Sequence, residues 1–544
     1  MDFTNPIIPG FAPDPSVIYI DDIFYLVNSS FHLFPGIPIY ASRNLQDWTD
    51  RSSLGHAINR PEQLTLHNGS TASVPLHTGG NMIASGGLFA PTIRHHRGTF
   101  YIVCTNASFV PALKVHNFLI STTDIWASSW SDPIPIPYPG IDPSLFFDED
   151  RAYIQGSFSI SRETQPSCTI KQFRIDIRTG EQLTEAREIW KGHSCIDTEG
   201  PHMYKVGKWY YLLVAEGGTF ENHMLSIARS RDIWGPYESF EGNPILTADG
   251  KPSEYIQNAG HGELLKDGAG QWWAVVLAVR NETTCQPMGR ETFLTPVDWP
   301  KDGWPQIRHP QAHFAAPSPL LESNDDLKGA YDERLQQLSP RMEDVYIRDP
   351  DPSCYQMPRF DNPHSFILSP SLGDLLRPVG TSTFIGRRQR SLKAVTFADI
   401  NLTTLLGDHS YNVTAGLAVY KDHLRHIKLF FDTKTRSVVF HGVNNSTGLD
   451  QASPKSFHID EKTELIHLKI VSSPTEYCGY AAIKTDQERG EWTSLGSWQT
   501  RDFAAREMTG PIFGIFAHAA SEEDQKVEVV FPVFTVQHCQ IESK

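Results

Sequence analysis

DPSVIYIDDIFYLVNSS, residues 14–30, decides the fold. A Pro-containing turn opens a short apolar run, Asp21-Asp22 break it, and an aromatic-rich run returns. Alternation on both sides of a tight polar turn is the pattern of a β-hairpin. The pattern recurs four more times: APTIRHHRGTFYIVCTN from Ala90, DPSLFFDEDRAYIQGS from Asp142, GPHMYKVGKWYYLLVAEGG from Gly200 and GHGELLKDGAGQWWAVVLAVR from Gly260. A second hairpin-like stretch follows several copies. IYASRNLQDW (39–48), FLISTTDIW (118–126) and LSIARSRDIW (225–234) share a strand, a polar turn and a closing aromatic. Two hairpins make a four-stranded blade. The copies start roughly 50–80 residues apart, somewhat more than the ~40–50 usual for propeller repeats. Five blades close a ring and leave only short edges. An open β-sandwich has no need of a repeated strand-opening turn. Residues 1–316 are therefore read as a five-bladed β-propeller.

The rhythm stops at residues 317–351. SNDDLKGAYDERLQQLSPRMEDVY is polar and charged, helical at best, and reads as a linker. From 352 to 544 alternating runs resume: TSTFIGRRQ, KAVTFADINL, YNVTAGLAVY, HIKLFFD, SVVFHGV, LIHLKIVS, GPIFGIFAH and VEVVFPVFTVQ. With their Gly, Asn and Asp turns they spell a second, antiparallel β-sandwich domain. Two large domains suit 544 residues, more than one hydrophobic core usually serves.

The formal net charge of −16 argues against nucleic acid, whose phosphates draw on clustered Lys and Arg, and against an anionic membrane surface. A neutral sugar is compatible with it. The N-terminal stretch has neither the basic nor the apolar region of a signal peptide, and no apolar run approaches the ~18 residues of a spanning helix. The seven cysteines are scattered without a C-x-x-C pair, so neither zinc nor a disulfide framework is signalled. The expectation is a reduced, cytoplasmic protein, with unconventional secretion left open. Sequons at Asn68, Asn106, Asn281 and Asn412 carry little weight, because such triplets arise by chance.

The innermost strand of each propeller blade lines the axis, so the turn that opens it faces a shared pocket. Asp14, Asp142, Glu199 and His261 sit at repeat openings and should converge. Three carboxylates and a histidine in one funnel are costly to bury unless function requires them. Glycoside hydrolysis uses two opposed carboxyls: one, protonated, donates to the leaving oxygen, and the other, ionised, activates water or attacks. A third nearby carboxylate raises the acid's pKa by like-charge repulsion. Asp-Pro-Ser is also an ordinary turn whose Asp accepts backbone N–H bonds; two copies at matching blade positions, plus an acid in the fourth blade, favour chemistry.

NPIIPGFAPDPSVI, SGGLFAPTI, GIDPSLFFD, DTEGPHMYK, AEGGT, NAGHGELL and MGRETFLTPV together resemble glycoside hydrolase family 43, most closely its two-domain β-xylosidase and α-L-arabinofuranosidase branch. That resemblance implies a concanavalin-like fold for the second domain, which closes the active-site pocket. It also implies an inverting mechanism. Asp14 matches the general base, Glu199 the general acid, and Asp142 the residue that orients the acid and tunes its pKa. Inversion leaves room for water, so the Asp14 and Glu199 carboxyls are expected ~6.5–9.5 Å apart. Phe31 matches the aromatic wall beside the scissile bond, and Arg290 the arginine that grips a pentose hydroxyl through its rigid fork. Arg60 and Thr219 match secondary contacts. His261 matches the central histidine, which lies near the acid or near an axial calcium; no cofactor is required. Phe89 stands where relatives often carry Trp, HNGSTASVPLHTGGNMIAS (67–85) precedes it as an insertion, and Met508-Thr509-Gly510 replaces an aromatic phrase of the sandwich domain.

The implied activity is release of xylose from the non-reducing ends of xylo-oligosaccharides. An α-L-arabinofuranosidase, or an enzyme with both activities, is the alternative. The two substrates present similar hydroxyls, and one or two contacts discriminate by only ~1–3 kcal/mol. A sugar-binding propeller without catalysis is disfavoured because all three carboxylates are present. A retaining fructosidase-type propeller would carry Arg-Asp-Pro in the propeller; the sole copy, Arg348-Asp349-Pro350, falls in the linker. Homo-oligomerisation is left open.

Overall fold

Each repeat folds as an antiparallel blade in the computed structural model, which describes residues 1–48, 54–75, 81–127, 129–161, 164–282, 285–317, 331, 342–358, 362–406, 411–483, 490–504 and 508–539. Blade I runs Ser16–Ile20, Ile23–Val27, Gly36–Ser42 and Gly55–Ile58 from the axis outward. Blade II has Gly87–His96 innermost, blade III Ile141–Asp148, blade IV Glu199–Val206 and blade V Ile256–Lys266. The quoted repeat openings fall at or near the starts of these strands, Ala90 and Gly260 lying a few residues inside theirs. Of the closing aromatics Trp48 is buried and Trp126 and Trp234 are half-buried, Trp126 donating its indole N–H to Tyr25 Oη at 3.0 Å.

The ring is fastened where the chain begins. Asp2–Thr4 pairs antiparallel with His313–Ala315, after the last strand of blade V. Phe3 stacks on Phe314 and packs against Trp273 of blade V, ring centroids 5.0 and 5.2 Å apart. Lower on the axis one carboxylate ties blades together. Glu263 of blade V accepts from Ser16 Oγ at 2.7 Å and Val17 N–H at 3.0 Å in blade I, and pairs with Arg94 of blade II at 2.7 Å. His202 Nδ1 of blade IV lies 3.4 Å away.

The C-terminal part is a concanavalin-like sandwich of an eight- and a seven-stranded antiparallel sheet among the described residues. Its core packs Leu417, Leu429, Ile466, Leu468, Ile515 and Phe531 between the layers. Every quoted run of this domain is a strand. Leu449–His458, Glu476–Ile483 and Thr493–Gln499 are further strands that the patterning did not single out. The first is an exposed, polar edge strand, and the other two are interrupted by small residues.

The boundary between the parts differs from a plain linker. Within residues 317–351, most of which lie outside the described residues, Val345–Ile347 is a strand of the eight-stranded sheet. It pairs on its other side with Leu33–Phe34, from blade I of the propeller. Three-residue strands carry too little alternation to be read from sequence. Arg390 adds polar fastening, donating to Pro9 O at 2.8 Å and Tyr40 Oη at 3.0 Å while pairing with Glu343. No described helix is long and apolar enough to cross a membrane, and all seven cysteines are free thiols.

Candidate active site

Five residues at one blade position share an unusual backbone. Asp14, Ala90, Asp142, Gly200 and His261 have φ of 53°, 38°, 54°, 54° and 26°. Non-glycine residues visit this left-handed region rarely, and each visit costs about 1–3 kcal/mol. Four of the five precede proline, and Gly262 follows His261. The strand registers slip here, between Ile141 and Ser144, Glu199 and His202, and Gly260 and Gly262. A bulge re-aims one side chain out of the ladder, and proline removes an N–H that the slip would leave unpaired. The repeat-opening turn is thus a device for turning a side chain toward the axis. Gly200 meets a second demand: a Cβ there would lie 2.9 Å from the His261 ring.

Asp14, Asp142, Glu199 and His261 do converge. His261 Nδ1 stands 3.9 Å from Asp14 Oδ1 and 4.0 Å from Asp142 Oδ2. One ligand-type atom each from Asp142, Glu199 and His261 falls within 4.8 Å of the others. Asp14 Oδ2 accepts from Ser29 Oγ at 2.6 Å, and Oδ1 from Arg290 Nη1 at 3.2 Å. Asp142 Oδ2 accepts the Gly200 N–H at 3.1 Å, which ties blade III to the residue following Glu199.

The three carboxyls titrate apart. Burial pushes Asp14 upward, but Arg290, His261, Ser29 and His223 outweigh it, and the net shift is down. Burial pushes Asp142 up to about 6, with Asp14's charge adding and His261 opposing. Glu199 is driven well above the ordinary carboxyl range by burial, then by Asp142, Asp197 and Asp14. Asp14 is thus biased toward its ionised form and Glu199 toward its protonated form, the division of labour that acid–base hydrolysis needs.

Arg290 joins the two domains at this point. Nη1 also donates to Thr219 Oγ1 at 3.0 Å, and Nε to the Met508 carbonyl of the sandwich at 3.1 Å. A Cβ on Gly289 would lie 2.1 Å from the Thr509 carbonyl, so the Met508-Thr509-Gly510 phrase sits directly on Met288-Gly289-Arg290. Phe31 is only 1 % exposed. Its ring stacks on Phe11 at 5.8 Å, meets Phe89 edge-on at 5.1 Å, and lies 5.4 Å from the Arg290 guanidinium. Phe31 thus backs Arg290, and the half-buried Phe89 is the more open ring. Phe89 is followed directly by Ala90 and its left-handed turn.

Arg60 is the sequence-derived candidate that the structure does not bring in. Nη1 donates to the Trp130 carbonyl at 3.0 Å and Nη2 to Asp132 at 2.5 Å, with 42 % of the side chain exposed. It braces blade I against the segment leading to blade II's outer strand. Conversely, sequence reading passed over Ser29, His223 and Asp197. His223 is buried, its Nδ1 3.0 Å from Asn258 O, and burial pulls it down to about 3. Ser29 lies in the NSS phrase that closes the first hairpin, the only signal of its role. The insertion at 67–85 forms a hairpin, Thr71–Pro75 with Asn81–Ser85.

Asp142, Glu199 and His261 do not fit a calcium ion as a protein cage. They offer two carboxyls and a nitrogen, whereas calcium takes 6–8 oxygens; Glu199 as a ligand would also give up its proton. A cavity of about 570 Å³ lined by Leu64, Asn106, His116, Pro135, Pro137 and Tyr138 opens elsewhere, on blade II, without any of the three carboxylates.

Comparison with known proteins places this geometry. Residues 3–305 match the family model of Glycosyl hydrolases family 43, and residues 368–537 that of the Beta xylosidase C-terminal Concanavalin A-like domain. The sequence is 32 % identical over 520 residues to a non-reducing end alpha-L-arabinofuranosidase of Bacteroides ovatus, covering 94 % of this chain and 90 % of the relative. It is 30 % identical to a xylosidase/arabinosidase of Butyrivibrio fibrisolvens, covering 80 % and 81 %. A solved xylan beta-1,4-xylosidase of Bacillus halodurans superposes with a TM-score of 0.83 at 27 % identity, covering 98 % of this chain and all of the other.

Proposed function

The chain belongs to glycosyl hydrolase family 43, and on that premise we propose that it is an exo-acting, inverting enzyme releasing xylose from the non-reducing ends of β-1,4-linked xylo-oligosaccharides. The observation that carries the reading is the convergence of Asp14, Asp142 and Glu199 around His261, with Ser29 and Arg290 donating to Asp14. Asp14, ionised, takes a proton from a water that attacks the anomeric carbon. Glu199 gives its proton to the glycosidic oxygen as that C–O bond breaks. The products are a pentose of inverted configuration and a shortened alcohol; the proton on Asp14 returns to Glu199 through solvent. Asp142 holds the Gly200 N–H and keeps Glu199 protonated by repulsion. Arg290, already beside Asp14 and Thr219, is placed to grip a sugar hydroxyl. The sandwich phrase lying on Met288-Gly289-Arg290 supports exo action by walling one side of the funnel.

The full-length similarity to an arabinofuranosidase favours a second reading, release of arabinose, alone or with xylose. A paired assay on p-nitrophenyl β-D-xylopyranoside and p-nitrophenyl α-L-arabinofuranoside, with Asp14→Ala as control, separates them. Turnover of the xyloside, lost in the variant, supports the first reading. Turnover of the arabinoside alone replaces it with the second.

A further inference from the structure

Five hydrogen bonds from one loop converge on a single buried carboxylate beside the proposed acid. Glu216 ends the second strand of blade IV, Trp209–Glu216, and is fully buried. Its Oε1 accepts the N–H groups of Ser194 at 2.9 Å and Cys195 at 3.1 Å, and the hydroxyls of Ser194 at 3.0 Å and Thr198 at 3.3 Å. Its Oε2 accepts the His193 N–H at 2.9 Å. Gly192 has φ 87°, and a Cβ there would sit 2.2 Å from Oε1, so the loop wraps the carboxylate at backbone distance. The Gly217 N–H, next along from Glu216, donates to Ile196 O at 2.9 Å.

The loop runs without interruption into Glu199. It also carries Asp197, whose N–H donates to Ser167 Oγ at 2.7 Å and whose charge helps to raise Glu199. Without its buried anion, residues 192–198 would hold several polar groups turned inward with nothing to accept from them. An amide cannot replace the carboxylate, because its NH₂ would face donors.

We propose that Glu216 is a positioning residue for the general acid: its carboxylate folds residues 192–198 into the arrangement that sets where Glu199 stands and how near the Asp197 charge comes to it. The proposal rests on the reading of Glu199 as the acid. Glu216 touches no substrate; it acts through the loop.

The test compares the full-length protein with Glu216→Gln and Ser194→Ala. Each is assayed on the aryl pentoside that the wild type turns over best and on the matching unactivated disaccharide. Glu216→Gln should lose about tenfold or more in kcat on the disaccharide and under about threefold on the aryl substrate, since a good leaving group needs little proton donation. KM should move less than about twofold. The alkaline limb of the pH profile should shift to lower pH, because a loosened loop admits water to Glu199 and relaxes its raised pKa. Ser194→Ala, which removes one hydroxyl, should change the ratio of the two rates in the same direction by about twofold and serves if Glu216→Gln does not fold. Equal losses on both substrates with an unmoved alkaline limb overturn the proposal. A wild type inactive on every aryl pentoside overturns instead the glycosidase reading beneath it.

Discussion

Glu263, two residues beyond His261 in Ile256–Lys266, is buried among Arg94, Ser16, Val17 and His202. Around His261 itself stand the buried Asp14 and Asp142 and the half-buried Glu199, with one close arginine, Arg290. Burial acts on Glu263 and Glu199 alike, yet their pKa values move in opposite directions. For Glu263, burial is outweighed first by Arg94 and then by His202, and its pKa falls. For Glu199, burial and three like charges act together, and its pKa rises. A carboxylate matched by a cation and two donors is a structural rivet. Three carboxyls sharing one arginine cannot all ionise, and that mismatch stores a proton where hydrolysis needs one.

Breaking either set should have distinct consequences. Asp14→Ala removes the proposed base and should lower kcat/KM on every substrate by about 10⁴-fold with the fold intact by circular dichroism. Glu263→Ala leaves the half-buried Arg94 without its carboxylate partner and should cost about 3 kcal/mol of stability, read as a lower unfolding midpoint in urea.

Glu199→Gln should do the reverse, stabilising the protein by about 1 kcal/mol at neutral pH while abolishing activity on unactivated substrates. The signs follow from the titrations. A raised pKa contributes stability that is complete below the unfolded value and is lost as pH rises through the folded one. The lowered pKa of Glu263 contributes stability above the unfolded value that is lost as pH falls through the folded one. Thermal unfolding across pH should therefore show Glu199→Gln gaining most at alkaline pH, and Glu263→Gln losing its deficit in acid. Activity should be bell-shaped, with an acid limb below the ordinary carboxyl range from Asp14 and an alkaline limb above it from Glu199. Smallest of all, Arg60→Ala should change kcat/KM less than about twofold, and stability by about 0.5 kcal/mol or less, because its ion pair with Asp132 is exposed.

The five blades and the eight quoted sandwich runs were legible because their alternation is long and their turns repeat. The repeat also placed Asp14, Asp142 and His261, since a residue that opens an axial strand must face the axis. It could not reveal why that turn faces inward, because a left-handed φ at Ala90 or Asp142 leaves no mark in composition. The strand exchange of Leu33–Phe34 with Val345–Ile347 was beyond reach, being two and three residues long. Arg60 and Phe31 show the limit of carrying a role over by motif. Arg60 finds nearer acceptors at Asp132 and Trp130, and Phe31 is covered by Phe11 and Phe89. Glu216 stood in plain view in AEGGT, but its function depends on a loop that only the fold brings to it.

The proposed hydrolysis turns on Glu199 storing the proton for the leaving group. The direct measurement is the rate of Glu199→Ala on an unactivated pentose disaccharide against its rate on an aryl glycoside of the same pentose with a good leaving group. The expected loss is about 10³-fold on the disaccharide and less than about tenfold on the aryl glycoside. Equal losses on the two would contradict it and return the proton to another group.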